Sequence, residues 1–145
     1  MSRCLQRGFL SMLVGLAVLA CTLHPAGAAS PGVTEDTLLV GSNMILTGPA
    51  AFWGQGSDHG ARAYFEYVND QGGIHGRKIE FINTDNAYKP VRAVAATKRL
   101  IEKEQVLTLM GYQSSACIQA AEQFFTEAGV PLIAPITTGR ALVEP

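Results

Sequence analysis

Cysteine is scarce in this sequence. Three occur in 145 residues, and two of them, Cys4 and Cys21, fall in an N-terminal stretch that reads as a removable leader. Cys117 then stands alone, which excludes an intramolecular disulfide even in an oxidising compartment, so an apolar core must supply the stability. Clusters of positive charge are lacking as well. Removing Arg3 and Arg7 from the 11 Lys and Arg leaves 9 against 12 Asp and Glu, a net charge of about −3. That balance argues against nucleic acid as a partner. The N-terminal apolar run, residues 9–20 (FLSMLVGLAVLA), is shorter than the roughly 20 residues a bilayer-spanning helix needs. Repeats and low-complexity tracts are absent.

What is present at the N-terminus is the grammar of export. Arg3 and Arg7 form a positive start, no acid precedes Glu35, and Pro25 leads to Ala26-Gly27-Ala28, with small side chains at −3 and −1. Residues 1–28 are therefore expected to be a signal peptide cleaved before Ala29, and residues 29–145 to fold outside the cytoplasm, periplasmic or secreted. A second reading stays open at Cys21, which follows Val18-Leu19-Ala20 and on that reading is kept and acylated as a lipoprotein anchor. The last residues, Ala141-Leu142-Val143-Glu144-Pro145, have neither cap nor polar tail, so a truncated fragment of a longer protein is expected.

Between these ends, strand-like and helix-like segments alternate. Residues 38–45 are a short apolar run, 78–84 alternate with period two, and 106–110 and 130–134 complete four strands. Helical spacing places Ala61, Tyr64, Phe65 and Val68 on one face of residues 56–69, which Gly72 and Gly73 end. Pro90 opens a second helix, where its missing N–H costs nothing, with Val91, Val94, Ala95 and Ile101 as its expected buried face through Glu104. A third helix carries Cys117, Ala121, Phe124, Phe125 and Ala128 on one stripe and stops at Gly129. The order β-α-β-α-β-α-β predicts an α/β fold, a parallel sheet covered by helices on both faces.

Ligands of such sheets bind beyond the carboxyl ends of the strands, which directs attention to residues 46–54, 85–89, 111–115 and 135–139. The first loop carries Trp53, the only tryptophan, suited to wall an apolar ligand group or simply to pack at the start of a helix. Ser115 is expected at the N-cap of the third helix, where free N–H groups and the helix dipole favour an anion. Thr137 and Thr138 follow the fourth strand, so two hydroxyl-rich loops converge. Gly54-Gln55-Gly56-Ser57-Asp58-His59-Gly60 imitates a dinucleotide fingerprint, but its spacing is one residue too long and its glycines come late after the strand. Cys117 falls on an apolar stripe with no histidine placed to serve it, and His59 and His75 lack metal-ligand spacing, so no metal or cofactor is expected.

Together these segments resemble periplasmic branched-chain amino-acid-type (leucine-binding protein-like) solute-binding proteins of ABC transporters, specifically their N-terminal lobe, over residues 33–138. The resemblance is carried by Thr47-Gly48-Pro49, Trp53-Gly54, Asn69 through Lys78 (NDQGGIHGRK), Asp85, Gly111 through Ser115, and Pro135 through Thr138. It implies a type I periplasmic-binding-protein lobe, one of two that close on a ligand, with the second lobe missing. It further implies that Ser115 and Thr138 meet a ligand's carboxylate and ammonium, that Ile136 contributes backbone, that Trp53 is the aromatic wall, and that Gln113 faces the cleft. The disulfide of leucine-type members is replaced by Tyr88 and Ser114, and their Asp-Asp after the second strand is Asp85-Asn86. The function it implies is that of a non-enzymatic receptor delivering an amino acid, or a related small carboxylate or amide, to an inner-membrane ABC permease. One lobe alone is expected to bind weakly or not at all. A sensory domain on the same fold, and an exported α/β enzyme using Cys117 or a serine, are the alternatives.

Overall fold

The computed structural model describes residues 30–139. The expected signal segment 1–28, the expected cleavage position before Ala29 and Cys21 lie outside the described residues. Four parallel strands form one sheet: β1 (Thr37–Met44), β2 (Lys78–Asp85), β3 (Thr108–Met110) and β4 (Leu132–Ile133), in the order β2-β1-β3-β4. Helices α1 (Ala51–Asp70), α2 (Pro90–Lys98) and α3 (Ser115–Glu127) make the crossovers. The chain moves from β1 outward to β2, then back across β1 to β3 and on to β4. Right-handed crossovers therefore put α1 on one face and α2 with α3 on the other, where the two helices pack together.

Side chains alternate between the faces as period two requires. In β2, Phe81 points to α1 and meets Phe65 edge-on at 5.3 Å between centroids. Its neighbour Ile82 points to the opposite face and joins a core built on Leu100, Val106, Leu109, Tyr112, Ile118 and Ala121. Tyr112 and Thr97 share a buried hydroxyl–hydroxyl bond at 3.0 Å, which satisfies the one polar atom Tyr112's side chain carries into that core. Among the described residues no helix is long and apolar enough to cross a membrane.

Several expected boundaries move. Helix α1 begins at Ala51, five residues before the expected Gly56, because the Gly48-Pro49-Ala50 turn feeds it directly: the Ala51 N–H donates to Gly48 O at 3.1 Å and the Trp53 N–H to Ala50 O at 3.2 Å. Tyr64 is exposed rather than part of the packed face, on which Gly54 is buried and Phe65 and Val68 are half-buried; Ala61 is half-buried too. On α2 the buried positions are Ala93, Thr97 and Leu100. Val91 is 81% exposed, Ala95 is exposed, and Val94 and Ile101 are half-buried. Small residues face inward there, allowing α2 and α3 to approach closely. A π-helical turn, Arg99–Lys103, ends α2 and drives Leu100 into the core. Ala128 is exposed, and β4 shrinks to two residues.

Candidate functional site

The order β2-β1-β3 reverses direction between β1 and β3, and the crevice at such a reversal is where open α/β sheets take ligands. An open cavity of about 450 Å³ lies at these carboxyl ends. It is lined by Ile45, Trp53, Ser57, Tyr88, Gln113, Ser114, Ser115, Ile136, Thr137 and Thr138. All five residues singled out from the sequence, Trp53, Gln113, Ser115, Ile136 and Thr138, are on this wall. Among the described residues, no ionisable acid or base lines it apart from the phenol of Tyr88.

Trp53 stands in the first turn of α1 rather than in a loop, 58% exposed, with Phe52 tilted against it at 5.1 Å between centroids. The turn that carries it is pressed onto the end of β1. A Cβ built on Gly54 would lie 1.8 Å from the Ile45 carbonyl oxygen, so only glycine permits this approach. The glycines that imitated a dinucleotide loop are thus inside a helix, and Gly54 has a packing purpose.

Opposite them, two consecutive left-handed residues, Ala87 (φ 47°) and Tyr88 (φ 58°), shape the loop after β2. Such backbone is uphill for non-glycine residues, and side-chain acceptors hold it. Asp85 Oδ1 accepts the Ala87 N–H at 2.9 Å and Asn86 Oδ1 accepts the Tyr88 N–H at 2.8 Å. Asp85 also reaches the first loop, where Oδ1 accepts the N–H groups of Leu46 (2.9 Å) and Thr47 (3.2 Å), and Oδ2 accepts the Thr47 hydroxyl at 2.5 Å. Partial burial works to raise the Asp85 pKa, but the Thr47 hydroxyl and the three N–H groups outweigh it and hold the carboxyl below its ordinary value. Asp85 is a knot between loops. Tyr88, left half-exposed at 52%, joins the wall.

The polar end of the cavity is made by α3 and the loop after β4. Ser115 is the first helical residue, and Ser114 (φ 79°, ψ 118°) occupies the N-cap expected for Ser115, making no side-chain capping bond. Freed from capping, the Ser115 hydroxyl bonds that of Thr137 at 2.7 Å. The Gly139 N–H donates to Thr137 Oγ1 at 3.0 Å. Thr137, not Thr138, is therefore the direct partner of Ser115, while Thr138 is exposed on the cavity lining. The parallel bridge between Gln113 and Ile136, with the Ile136 N–H donating to Tyr112 O at 2.8 Å, brings the two loops together.

Gln113 is 3% exposed, and both amide atoms bond within the protein: Oε1 accepts the Ile45 N–H at 3.2 Å, and Nε2 donates to Trp53 O at 3.3 Å and Ser57 Oγ at 2.9 Å. Cys117 is on the buried face of α3. Burial pushes its thiol pKa up, and the Ser114 side chain only partly opposes that, which is the reverse of nucleophile activation. His59 and His75 are exposed, and no group of three metal-ligating side chains occurs among the described residues. Sequence reasoning passed over Ile45, Ser57 and Tyr88. Ser57 was signalled by its i+4 spacing from Trp53, and Ile45 by its place at a strand end.

The family model described as periplasmic binding protein matches residues 37–145. An "amino acid binding protein" of Pseudomonas aeruginosa is 33% identical over 127 residues, covering 88% of this chain and 34% of that protein. The branched-chain amino acid transporter substrate-binding protein LivJ of Streptococcus pneumoniae, solved with isoleucine, superposes with a TM-score of 0.71 at 32% identity, over 75% of this chain and 31% of that one. An ABC-transporter solute-binding protein of Rhodopseudomonas palustris, solved with 3,4-dihydroxybenzoic acid, gives 0.61 at 30% identity, over 70% and 28%. The chain spans about a third of the length of these relatives. The four-stranded parallel sheet is that of the type I binding-protein fold. This chain belongs to the periplasmic binding protein family.

Proposed function

We propose that the protein is the extracytoplasmic solute-binding component of an ABC importer, that this chain supplies its N-terminal lobe, and that the cavity receives an amino acid or a related small carboxylate or amide for delivery to a membrane permease. The observation that carries the reading is the Ser115–Thr137 hydroxyl pair at the first turn of α3, facing an otherwise largely apolar cavity. Hydroxyls beside the unpaired N–H groups of a helix start can hold a carboxylate without a formal positive charge. Trp53, Tyr88, Ile45 and Ile136 then cover the apolar part of the same ligand, and Thr138 stands at the rim. The expected leader at residues 1–28 supports a periplasmic location, with attachment through Cys21 as the variant form.

The cavity is open on one side, so strong binding needs a second surface to complete the enclosure. The relatives' greater length fits that requirement. Calorimetry of the protein joined to its second lobe, against amino acids, amides and aromatic acids, tests the reading. Saturable binding of one of these, weakened by Ser115→Ala and Thr137→Ala and without turnover, is expected. Turnover of the ligand, or binding indifferent to both substitutions, would sink it.

A further inference from the structure

We propose that Gln113 is a positioning residue that clamps the Trp53-bearing turn to the sheet, rather than a group that meets the ligand. The proposal deepens the solute-binding reading and rests on it only for its consequence on affinity.

The partners fix the orientation of the amide. Ile45 offers an N–H and so needs the oxygen, while Trp53 offers a carbonyl and so needs the nitrogen. In that orientation both Nε2 hydrogens have acceptors inside the protein, Trp53 O and Ser57 Oγ. With the residue 3% exposed, no donor is left to offer a ligand. The Ser57 hydroxyl itself donates to Trp53 O at 3.0 Å, so Gln113, Ser57 and Trp53 close a small ring of hydrogen bonds. Every residue in this arrangement lines the cavity: Ile45 at the end of β1, Trp53 and Ser57 on α1, and Gln113 on the loop before α3. One side chain thus ties its own loop to two neighbouring segments 56–68 residues earlier in the chain.

The clamp acts where other support is thin. The start of α1 has no side-chain cap, since Ala50 occupies that position. Trp53 and Phe52 are both more than half exposed, so packing alone holds them weakly. Beside the Gly54–Ile45 contact, the side-chain bonds tying this turn to the rest of the described lobe are those of Gln113 and the Gln55 amide, which donates to Leu46 O at 3.1 Å. A wall held rigid before the ligand arrives spares the ordering cost on binding.

The test is backbone ¹⁵N relaxation on the protein without ligand, comparing the parent with Gln113→Leu and Gln113→Glu. The parent should give order parameters of about 0.85 at residues 52–54, falling below about 0.6 in Gln113→Leu while residues 117–121 of α3 stay unchanged. Gln113→Glu keeps the shape and an acceptor for the Ile45 N–H but loses the donor to Trp53 O, so residues 52–54 should loosen and Ile45 should not. Rescue of Ile45 alone separates positioning from general stability. Unchanged order parameters at residues 52–54 in the folded variants overturn the proposal, and so does a uniform fall across all elements. If the leucine variant does not fold, the isosteric glutamate variant decides alone. No ligand enters the measurement, so its failure is distinguishable from failure of the solute-binding reading.

Discussion

Gly54 lies so close to Ile45 that a Cβ on it would sit 1.8 Å from the Ile45 carbonyl oxygen and 2.4 Å from the carbonyl carbon. Backbone cannot yield as a flexible side chain can, so Gly54→Ala must push α1 off the end of β1. It is expected to lower stability by about 1–3 kcal/mol, read as a fall in thermal midpoint. Gly60, in the same helix, has open space where a Cβ would go. Gly60→Ala should therefore raise the midpoint, by about 0.5–1 kcal/mol of stability. Opposite signs from two identical substitutions in one helix are the diagnostic result.

Acid should loosen the loops through Asp85. Its pKa in the fold is below the ordinary 3.8, so the unfolded chain takes up its proton first as pH falls. Its stabilising contribution is complete above the ordinary value and is lost as pH drops through the lower folded one. Asp58 shifts the same way: burial works to raise its pKa, and the Arg62 and Asn83 side chains prevail over it. Asp85→Asn should reduce stability at neutral pH and flatten the acid limb of a midpoint-against-pH curve. Parallel curves for parent and variant would contradict this.

Cys117 is buried with its thiol pKa pushed up. Native protein lacking residues 1–28 should react with iodoacetamide at about pH 8 far more slowly than the unfolded chain, since both access and thiolate fraction are low. Rapid labelling of the native form would reopen the thiol enzyme reading.

On the proposed function, Ser115→Ala and Thr137→Ala should each weaken carboxylate ligand binding by about tenfold or more, the scale of a lost hydrogen bond to a charged group. Because the two hydroxyls bond each other at 2.7 Å, the double variant should be non-additive by about 0.5 kcal/mol or more. Additive losses in calorimetry would mean that the pair does not act on one ligand group.

The sheet was legible because β2 alternates with period two and because Pro90 and Gly129 punctuate the chain where their backbones allow. The start of α1 was not. Gly48, Gly54 and an uncapped Ala50 read as loop, whereas Gly54 is there because a backbone passes against it. The inward face of α2 was misread because hydrophobicity pointed to Val91, while close packing against α3 selects Ala93 and Thr97. At the site, the convergence of two hydroxyl loops was readable, but the pairing of Ser115 with Thr137 was not. Thr137 rather than Thr138 turns to Ser115, in a loop that follows the left-handed Ala134 at φ 48°. The burial of Gln113 had no sequence signal, since a glutamine is ordinarily a surface residue.

The left-handed pair Ala87–Tyr88 has a consequence for how this lobe meets its surroundings. Its shape is held by an ionised carboxylate and a neutral amide, Asp85 and Asn86, and no sulfur takes part. The cavity wall is therefore indifferent to reductant. Its vulnerability is to protons, which reach the loop through the same aspartate that joins it to the loop after the first strand.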